Sequence, residues 1–263
     1  MIKKPASIKI LGTSISIASK AEILEYVIEN ALERRLKIPI VTPNPEILVY
    51  AFTHKSYQEV LNRAEIAIPD GIGVLISSKI LKKGIESRIS GVDLMYSLCH
   101  EASERGLTVG FLGGRGGVAE KTALCLVKKY PNLVVAFASD EWDVEKIGKF
   151  KNSGFENHKN EKGHVIKSSE INYVDILFVA FGFPKQDEWI DQNLEKIPAT
   201  VAMGVGGAFD YVSGNVKRAP KFIRDAGMEW AFRLVNEPWR IRRQVALPQV
   251  ALEVLKERFS GSK

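Results

Sequence analysis

The chain has 263 residues, of which 45% are hydrophobic and 26% are charged, a composition typical of one large α/β domain or two small ones. No run approaches the ~18 apolar residues that a membrane-spanning helix needs, and the first residues lack the apolar core of a signal peptide. Cys99 and Cys125 lie among apolar neighbours in predicted helices, so we expect two buried thiols and no disulfide framework. These features predict a cytoplasmic protein.

The net charge of +6 is unevenly distributed along the chain. Basic and acidic residues balance up to residue 214, so the whole excess lies in the segment 215–263. Such asymmetry indicates a polyanionic partner or an anionic membrane surface. We therefore expect an α/β domain over 1–214 and a basic helical appendage over 215–263.

Short apolar strands alternate with amphipathic helices along most of the chain. Residues 7–17 predict a strand or hairpin at a sheet edge. Further strands are predicted over 38–42, 65–68, 107–112, 133–138, 176–181 and 200–204, with helices over 21–35, 46–52, 74–81, 94–105 and 118–130 and after 185. This alternation is typical of a Rossmann-like, doubly wound, mostly parallel sheet. The charged segment 139–168 is only weakly periodic, and we expect it to be an exposed and mobile excursion.

The segment 176–190 contains the clearest strand-to-helix corner. Its uninterrupted apolar run predicts a strand buried on both faces, and Gly182 and Pro184 end that strand before a helix begins. A helix start at the carboxyl edge of a sheet offers N–H groups and a partial positive charge to a phosphate. Lys185 and Gln186 stand at this corner, although an ordinary turn with a surface lysine is about as consistent with the segment.

Polar or glycine-rich turns follow five of the predicted strands. They occupy 42–46, 69–73, 113–117, 182–186 and 204–210. Because parallel strands end at one edge, these turns would lie side by side there. Five such turns predict a crevice of nucleotide size.

Asp70 is the candidate general base, because it follows a strand and the glycines after it leave room for a ligand. Its alternative role is a helix N-cap. Thr42 and Asn44 could bind a sugar hydroxyl or acetamide, or could serve turn chemistry alone. Arg88 could bind phosphate through its planar guanidinium, or could be a solvated loop charge.

Other chemistries find less support. The loop 113–117 lacks the G-x-G-x-x-G spacing of a dinucleotide fingerprint, and no phosphate-binding G-K-[ST] occurs. The four histidines are scattered without metal-ligand spacing. Residues 140–143, Asp-Glu-Trp-Asp, could bind a metal, but their position at the start of a charged segment favours a solvated acidic patch. We expect no metal and no cofactor.

The basic segment mixes aromatic and apolar residues with arginines, and Pro220, Pro238 and Pro248 are expected to cut it into short helices. Such a mixture suits a helix that lies on a membrane or closes over a phosphate. A C-terminal helix with a basic outer face is the plainer alternative. A nucleic-acid partner is not expected, because no recognised nucleic-acid motif accompanies the charge.

Taken together, the motifs resemble those of the bacterial WecG/TagA/CpsF family, glycosyltransferase family 26, in the same order along nearly the whole chain. They are the segments 42–46 (TPNPE), 69–73 (PDGIG), 88–94 (RISGVDL), 111–114 (FLGG), 182–189 (GFPKQDEW), 204–210 (GVGGAFD), 214–220 (GNVKRAP) and 229–234 (EWAFRL), followed by Pro238 and Arg240. Pro45 departs from the pattern, because family members often carry a small residue there, and the segment 140–168 is longer than usual.

The resemblance implies transfer of N-acetylmannosamine or its uronic acid from a UDP donor to a polyprenyl-diphosphate-linked sugar, as in teichoic-acid or enterobacterial-common-antigen synthesis. The reaction would invert the anomeric centre without a metal, on a peripheral enzyme at the inner face of the cell membrane. A homo-oligomer is possible. The competing class is a non-catalytic basic α/β module that binds a nucleotide or an anionic surface.

The resemblance also implies roles for particular residues. Asp70 matches the catalytic base, and Arg88 and Gln186 match positions near the leaving group. The remaining substrate-binding candidates are Thr42, Asn44, Gly113, Gly182, Lys185, Gly206, Gly207, Asp210, Arg233, Arg240 and Arg243. The three arginines of the appendage would contact diphosphate, since a leaving UDP without a metal needs cations for its developing charge.

Overall fold

The structure is a computed structural model, which describes residues 3–140, 173–241 and 245–260, with the Arg240 side chain excepted. Eight strands lie in these ranges. They are β1 (Ser7–Ile10), β2 (Thr13–Ser16), β3 (Ile38–Val41), β4 (Ile66–Ala67), β5 (Thr108–Gly113), β6 (Val134–Ser139), β7 (Val174–Ala180) and β8 (Ala199–Gly204). The main sheet has the order β4-β3-β8-β7-β5-β6, and every pairing in it is parallel. This sheet confirms the predicted Rossmann-like α/β fold.

The helices follow the strands as predicted, with two additions, over 55–63 and 208–212. They are α1 (Lys20–Glu33), α2 (Pro45–Thr53), α3 (Lys55–Arg63), α4 (Ile72–Leu81), α5 (Gly91–Arg105), α6 (Val118–Lys129), α7 (Lys185–Asn193), α8 (Ala208–Val212), α9 (Lys221–Asp225), α10 (Glu229–Asn236) and α11 (Ala246–Ser260), with a 3₁₀ turn over Pro238–Arg240. Sequence reasoning predicted neither α3 nor α8. The apolar positions of α3 are only Tyr57, Val60 and Leu61, and the helix follows α2 after a single intervening residue. The five-residue α8 begins inside a segment that was expected to be a turn.

Local sequence explains where several helices begin. Ser19 and Glu22 form a reciprocal capping box at the start of α1. Asn44 caps α2 by accepting a hydrogen bond from the Ile47 N–H at 3.0 Å, and Pro45 fills the first helical position, where no N–H is needed. The turn over 42–46 is therefore set by its own residues.

Both faces of the main sheet are covered, as its apolar strands predicted. Along β7, Ile176 and Phe178 pack into the core beneath α1, α5 and α6. Leu177 and Val179 point to the opposite face, where they pack with Trp189 and Ile190 of α7. This two-sided burial explains why β7 carries almost no polar residue.

The hairpin β1–β2 forms its own antiparallel sheet beside β4, instead of joining the main sheet. Two expectations for side chains were wrong. Cys99 is buried but Cys125 is exposed, because it lies on the outer face of α6. Pro248 does not cut the last helix, since it lies in the first turn of α11, where its missing N–H breaks no bond.

The segment after residue 214 packs on the α/β part of the molecule at two places. Arg218 makes hydrogen bonds of 2.7 and 2.9 Å to the two oxygens of Asp93 in α5. At the other end, Val250 and Val254 of α11 are buried with side chains of β1, α2 and α4. The division at residue 214 into two domains stays a prediction.

Candidate active site

A cleft of about 330 Å³ opens at the carboxyl edge of the main sheet. The turns after β3, β4, β7 and β8 form its floor, and the C-terminal segment forms one wall. Among the predicted site residues, those that line it are Thr42, Asn44, Asp70, Arg88, Gly182, Gln186, Gly206, Gly207 and Arg233. The predicted crevice therefore exists, and four of the five polar turns meet in it.

Asp70 is half-buried at the floor of the cleft. Its turn is braced on both sides: its N–H donates to the Pro43 carbonyl at 3.0 Å, and the Ile89 N–H donates to the Pro69 carbonyl at 2.9 Å. Gly71 follows with φ +88°, a conformation that favours glycine, and so turns the chain away behind the carboxylate. The strand end thus fixes the position of Asp70.

Burial raises the pKa of Asp70 to about 7. The negative charge of Glu229 contributes to this rise, whereas Arg88 and the N–H of Gly91 oppose it. A carboxylate with a pKa near 7 is basic enough to accept a proton from an alcohol. At pH 7 a substantial fraction of it is ionised and ready to do so. This is the behaviour expected of a general base.

The turn after β3 presents Thr42 and Asn44 to the same space. The Oδ1 of Asn44 is occupied by the helix cap, so its amide NH₂ is the group turned to a ligand. Pro45 packs tightly against the neighbouring turn, since a Cβ on Gly73 would lie 2.4 Å from the Pro45 ring. Pro45 therefore joins the turns that carry Asn44 and Asp70.

The corner after β7 is held by buried polar side chains. Gln186 is 2% exposed, and its Oε1 accepts a hydrogen bond from the Gly206 N–H at 2.9 Å. Behind it, the buried Asp187 accepts a 2.6 Å hydrogen bond from the hydroxyl of Tyr57 in α3. Burial raises the pKa of Asp187 to about 6, and the bonds from Tyr57 and Gln186 oppose that shift. These contacts fix the corner relative to the glycine turn after β8.

Arg233 brings a guanidinium into the cleft from α10. Its Nε is paired with Glu237 at 2.6 Å, and its Cζ lies 4.9 Å from the centre of the Tyr211 ring. The terminal nitrogens lie over Gly207, where an added Cβ would come within 3.1 Å of one of them. Arg233 and Gly207 thus lie in the same part of the cleft.

Arg88 joins the cleft to the C-terminal segment, because its guanidinium donates to the carbonyl of Arg224. Next to it, Asp93 is bound by Arg218 at 2.7 Å and by Arg224 at 3.4 Å. Arg218 also pairs with Glu229 at 3.2 Å. Sequence reasoning missed Glu229 and Arg218 as site residues, although both lie in motifs that were recognised, because pairing between distant charges leaves no local signal.

Three predicted residues lie outside the cleft lining. Gly113 packs instead beneath the ring of Phe181, because β5 is two strands away from β8. Lys185 is exposed on the outer side of the corner, and Asp210 lies in α8 behind Gly207. Arg240 is the last residue of the 3₁₀ turn. Arg243 falls outside the described residues. So do residues 141–168 of the charged excursion, which include all but the first residue of its acidic motif.

Within the described ranges, no group of three or more His, Cys, Asp and Glu side chains could hold a metal ion. In the same ranges, no helix is long and apolar enough to cross a membrane.

A cleft at the carboxyl edge of a parallel sheet, lined by a carboxylate and two arginines, is the usual place of the active site in an α/β enzyme. The chain belongs to the glycosyl transferase WecG/TagA/CpsF family, whose model matches residues 8–263.

Several relatives share one enzyme name. The N-acetylglucosaminyldiphosphoundecaprenol N-acetyl-beta-D-mannosaminyltransferase of Bacillus subtilis (strain 168) is 31% identical over 89% of this chain and 85% of its own length. The enzyme of that name from Bacillus spizizenii is 36% identical over 85% of this chain and 81% of its own. The Staphylococcus aureus (strain MW2) enzyme is 32% identical over 95% and 93%.

Proposed function

We propose that this glycosyltransferase moves N-acetylmannosamine, or its uronic acid, from a UDP donor to a polyprenyl-diphosphate-linked N-acetylglucosamine. The names of the relatives support this sugar and this acceptor. The observation that carries the chemistry is Asp70, whose pKa of about 7 suits a base, on the floor of a cleft that also holds Arg88 and Arg233.

In the proposed reaction Asp70 removes the proton of the acceptor hydroxyl, whose oxygen then attacks the anomeric carbon. The bond to the UDP oxygen breaks in the same displacement, and its electron pair leaves with UDP, so the configuration inverts. Arg88, Arg233 and the N–H group of Gly207 stabilise the charge that develops on the diphosphate. No metal has a role in this scheme.

The amide of Asn44 and the hydroxyl of Thr42 would bind the hydroxyl or acetamide groups of a sugar beside Asp70. Sugar recognition depends on such directional hydrogen bonds from fixed side chains. The cap that orients Asn44 provides this rigidity.

The enzyme would act as a peripheral protein at the inner face of the cell membrane, where a polyprenyl acceptor is embedded. The C-terminal segment exposes Phe222, Val235, Trp239 and Ile241, which are 58–80% accessible to solvent. Together with the excess positive charge of this segment, these side chains suit the surface of an anionic bilayer. Whether copies of the chain associate stays a prediction.

Replacing Asp70 with Asn tests the reaction. Transfer from UDP-N-acetylmannosamine to a short-chain polyprenyl-diphosphate N-acetylglucosamine should fall by about 10²–10⁴-fold, because the general base is lost while the shape is kept. UDP binding, measured by calorimetry, should change little. Asp191→Asn is the control, since this carboxylate lies in α7 and pairs with Arg63 at 2.7 Å.

A non-catalytic nucleotide-binding module would give no UDP release with any acceptor. Full transfer activity in Asp70→Asn would remove this residue from the mechanism. Replacing UDP-N-acetylmannosamine by its uronic acid or by UDP-N-acetylglucosamine in the same assay identifies the donor.

A further inference from the structure

Glu229 is a carboxylate that the C-terminal segment places in the same cleft as Asp70. Just before it, Gly227 adopts φ +73° and comes so close to α4 that an added Cβ would lie 3.2 Å from the side chain of Ile72. Because Ile72 follows Asp70 by two residues, this contact brings the start of α10 beside the turn that carries the base.

Glu229 is held in a defined position. Its Oε1 lies 3.2 Å from the Nε of Arg218, which also binds both oxygens of Asp93. The side chains of Arg218 and Glu229 are 16% and 20% exposed, so water screens their charges only partly. Glu229 is therefore fixed on the same charged network as Asp93 at the start of α5.

Several charged groups face Asp70 from the surrounding elements. The negative charge of Glu229 raises the pKa of Asp70, as that of Asp93 does to a smaller extent, whereas the cation of Arg88 lowers it. Glu46 and Arg233 complete the charged lining of the cleft. Among these groups, Glu229 and Arg233 belong to the C-terminal segment.

We propose that Glu229 is a positioning residue for Asp70. The negative charge of Glu229 makes Asp70 a stronger base only while the C-terminal segment is docked. Glu229 touches neither the acceptor hydroxyl nor the anomeric carbon. It acts by making the ionised form of Asp70 less favourable, so that Asp70 accepts the acceptor proton more readily. Docking of the segment would thereby couple base strength to closure of the site. This inference rests on the proposed function, in which Asp70 is the base.

The test is the pH dependence of kcat/KM in Glu229→Gln, which keeps the shape and removes the charge. The acidic limb of the profile should move down by about half a pH unit or more, because a like charge near Asp70 has been removed. The plateau should fall about two- to fivefold, since a weaker base accepts the proton less readily. Glu229→Asp, which restores the charge, should return the limb toward its original position.

Glu253→Gln is the matched control. It removes one negative charge from the same segment at a carboxylate in α11 that pairs with Lys256 at 2.7 Å. It should leave the limb in place, and Glu229→Ala can replace the Gln variant if that variant does not fold.

The outcomes separate the two proposals. If wild type is active, Asp70→Asn is inactive, and the limb of Glu229→Gln stays fixed, the role of Glu229 is refuted while that of Asp70 stands. A change in KM or melting temperature alone would also refute it, because it would indicate a binding or structural role. If Asp70→Asn keeps full activity, the proposed function fails first.

Discussion

At the scale of single residues, Asp70 is a carboxylate whose surroundings disfavour its own charge. Its folded-state pKa of about 7 lies above the usual value of 3.8, so the folded protein binds this proton more tightly than the unfolded chain does. The ionised group therefore destabilises the fold. The penalty is absent below about pH 4 and grows as the pH rises through 7.

Asp70→Asn should for this reason be more stable than wild type at pH 8, by roughly 2–4 kcal/mol, with the difference shrinking toward pH 4. Urea denaturation at several pH values measures it. Equal stability of the two proteins at pH 8 would show that the charge of Asp70 is not penalised. A variant that gains stability while losing activity is the pattern expected of a functional residue.

At the scale of elements, Tyr57 and Asp187 join α3 to α7 across the edge of the sheet. Tyr57→Phe should destabilise the protein by about 1–3 kcal/mol, because the buried carboxylate loses a hydrogen-bond donor. The hydroxyl holds the pKa of Asp187 down against burial, so its loss should raise that pKa further. The destabilisation should then be larger at pH 8 than at pH 5.

Tyr26→Phe is the matched control for this pair. Tyr26 donates to Glu65 at 2.7 Å, but Glu65 also pairs with Lys4 at 2.7 Å and so keeps a partner. Chemical denaturation of the two variants should give the larger loss for Tyr57→Phe. Equal losses without a pH trend would argue that the Tyr57–Asp187 bond is an ordinary exposed contact.

At the scale of the whole molecule, the C-terminal segment is fastened at both ends and passes along the cleft between them. Arg218 fastens its start to Asp93. Glu257 fastens its end, by pairing with Lys83 at 2.6 Å and accepting the Leu11 N–H at 2.8 Å. The part between carries Glu229 and Arg233 inward and several aromatic side chains outward. One segment thus completes the cleft and, in the proposed function, would offer its outer surface to the bilayer.

Trp239→Ala should weaken binding to vesicles rich in phosphatidylglycerol by about tenfold, because a large apolar side chain that is 70% exposed would be lost from the contact. Leu36→Ala is the control. This exposed leucine precedes β3 and so lies at the amino edge of the sheet, away from the cleft at the carboxyl edge. Sedimentation with vesicles measures both. Undiminished binding of the Trp239 variant would remove the aromatic face from the membrane contact.

The alternation of strands and helices and the turns at the strand ends could be predicted, because each depends on residues close together in the chain. The apolar run of β7 and the turn at Asn44 are examples. The sequence could not show that α3 begins one residue after α2, because two helices at an angle produce no single apolar period. Nor could it show that Cys125 faces outward, since the burial of one helix face depends on what packs there.

The sequence by itself determined the parallel α/β fold, the motifs of a glycosyltransferase family and the carboxylate at the end of β4, since these depend on local spacing and residue type. The tertiary structure alone decided which turns share a cleft, because strand order leaves the loop at Gly113 two strands away from the β8 turn. It alone brought Arg218, Asp93 and Glu229 together around Asp70. Electrostatic coupling depends on distances between charges in space, and the number of residues between two charges in the sequence does not give those distances.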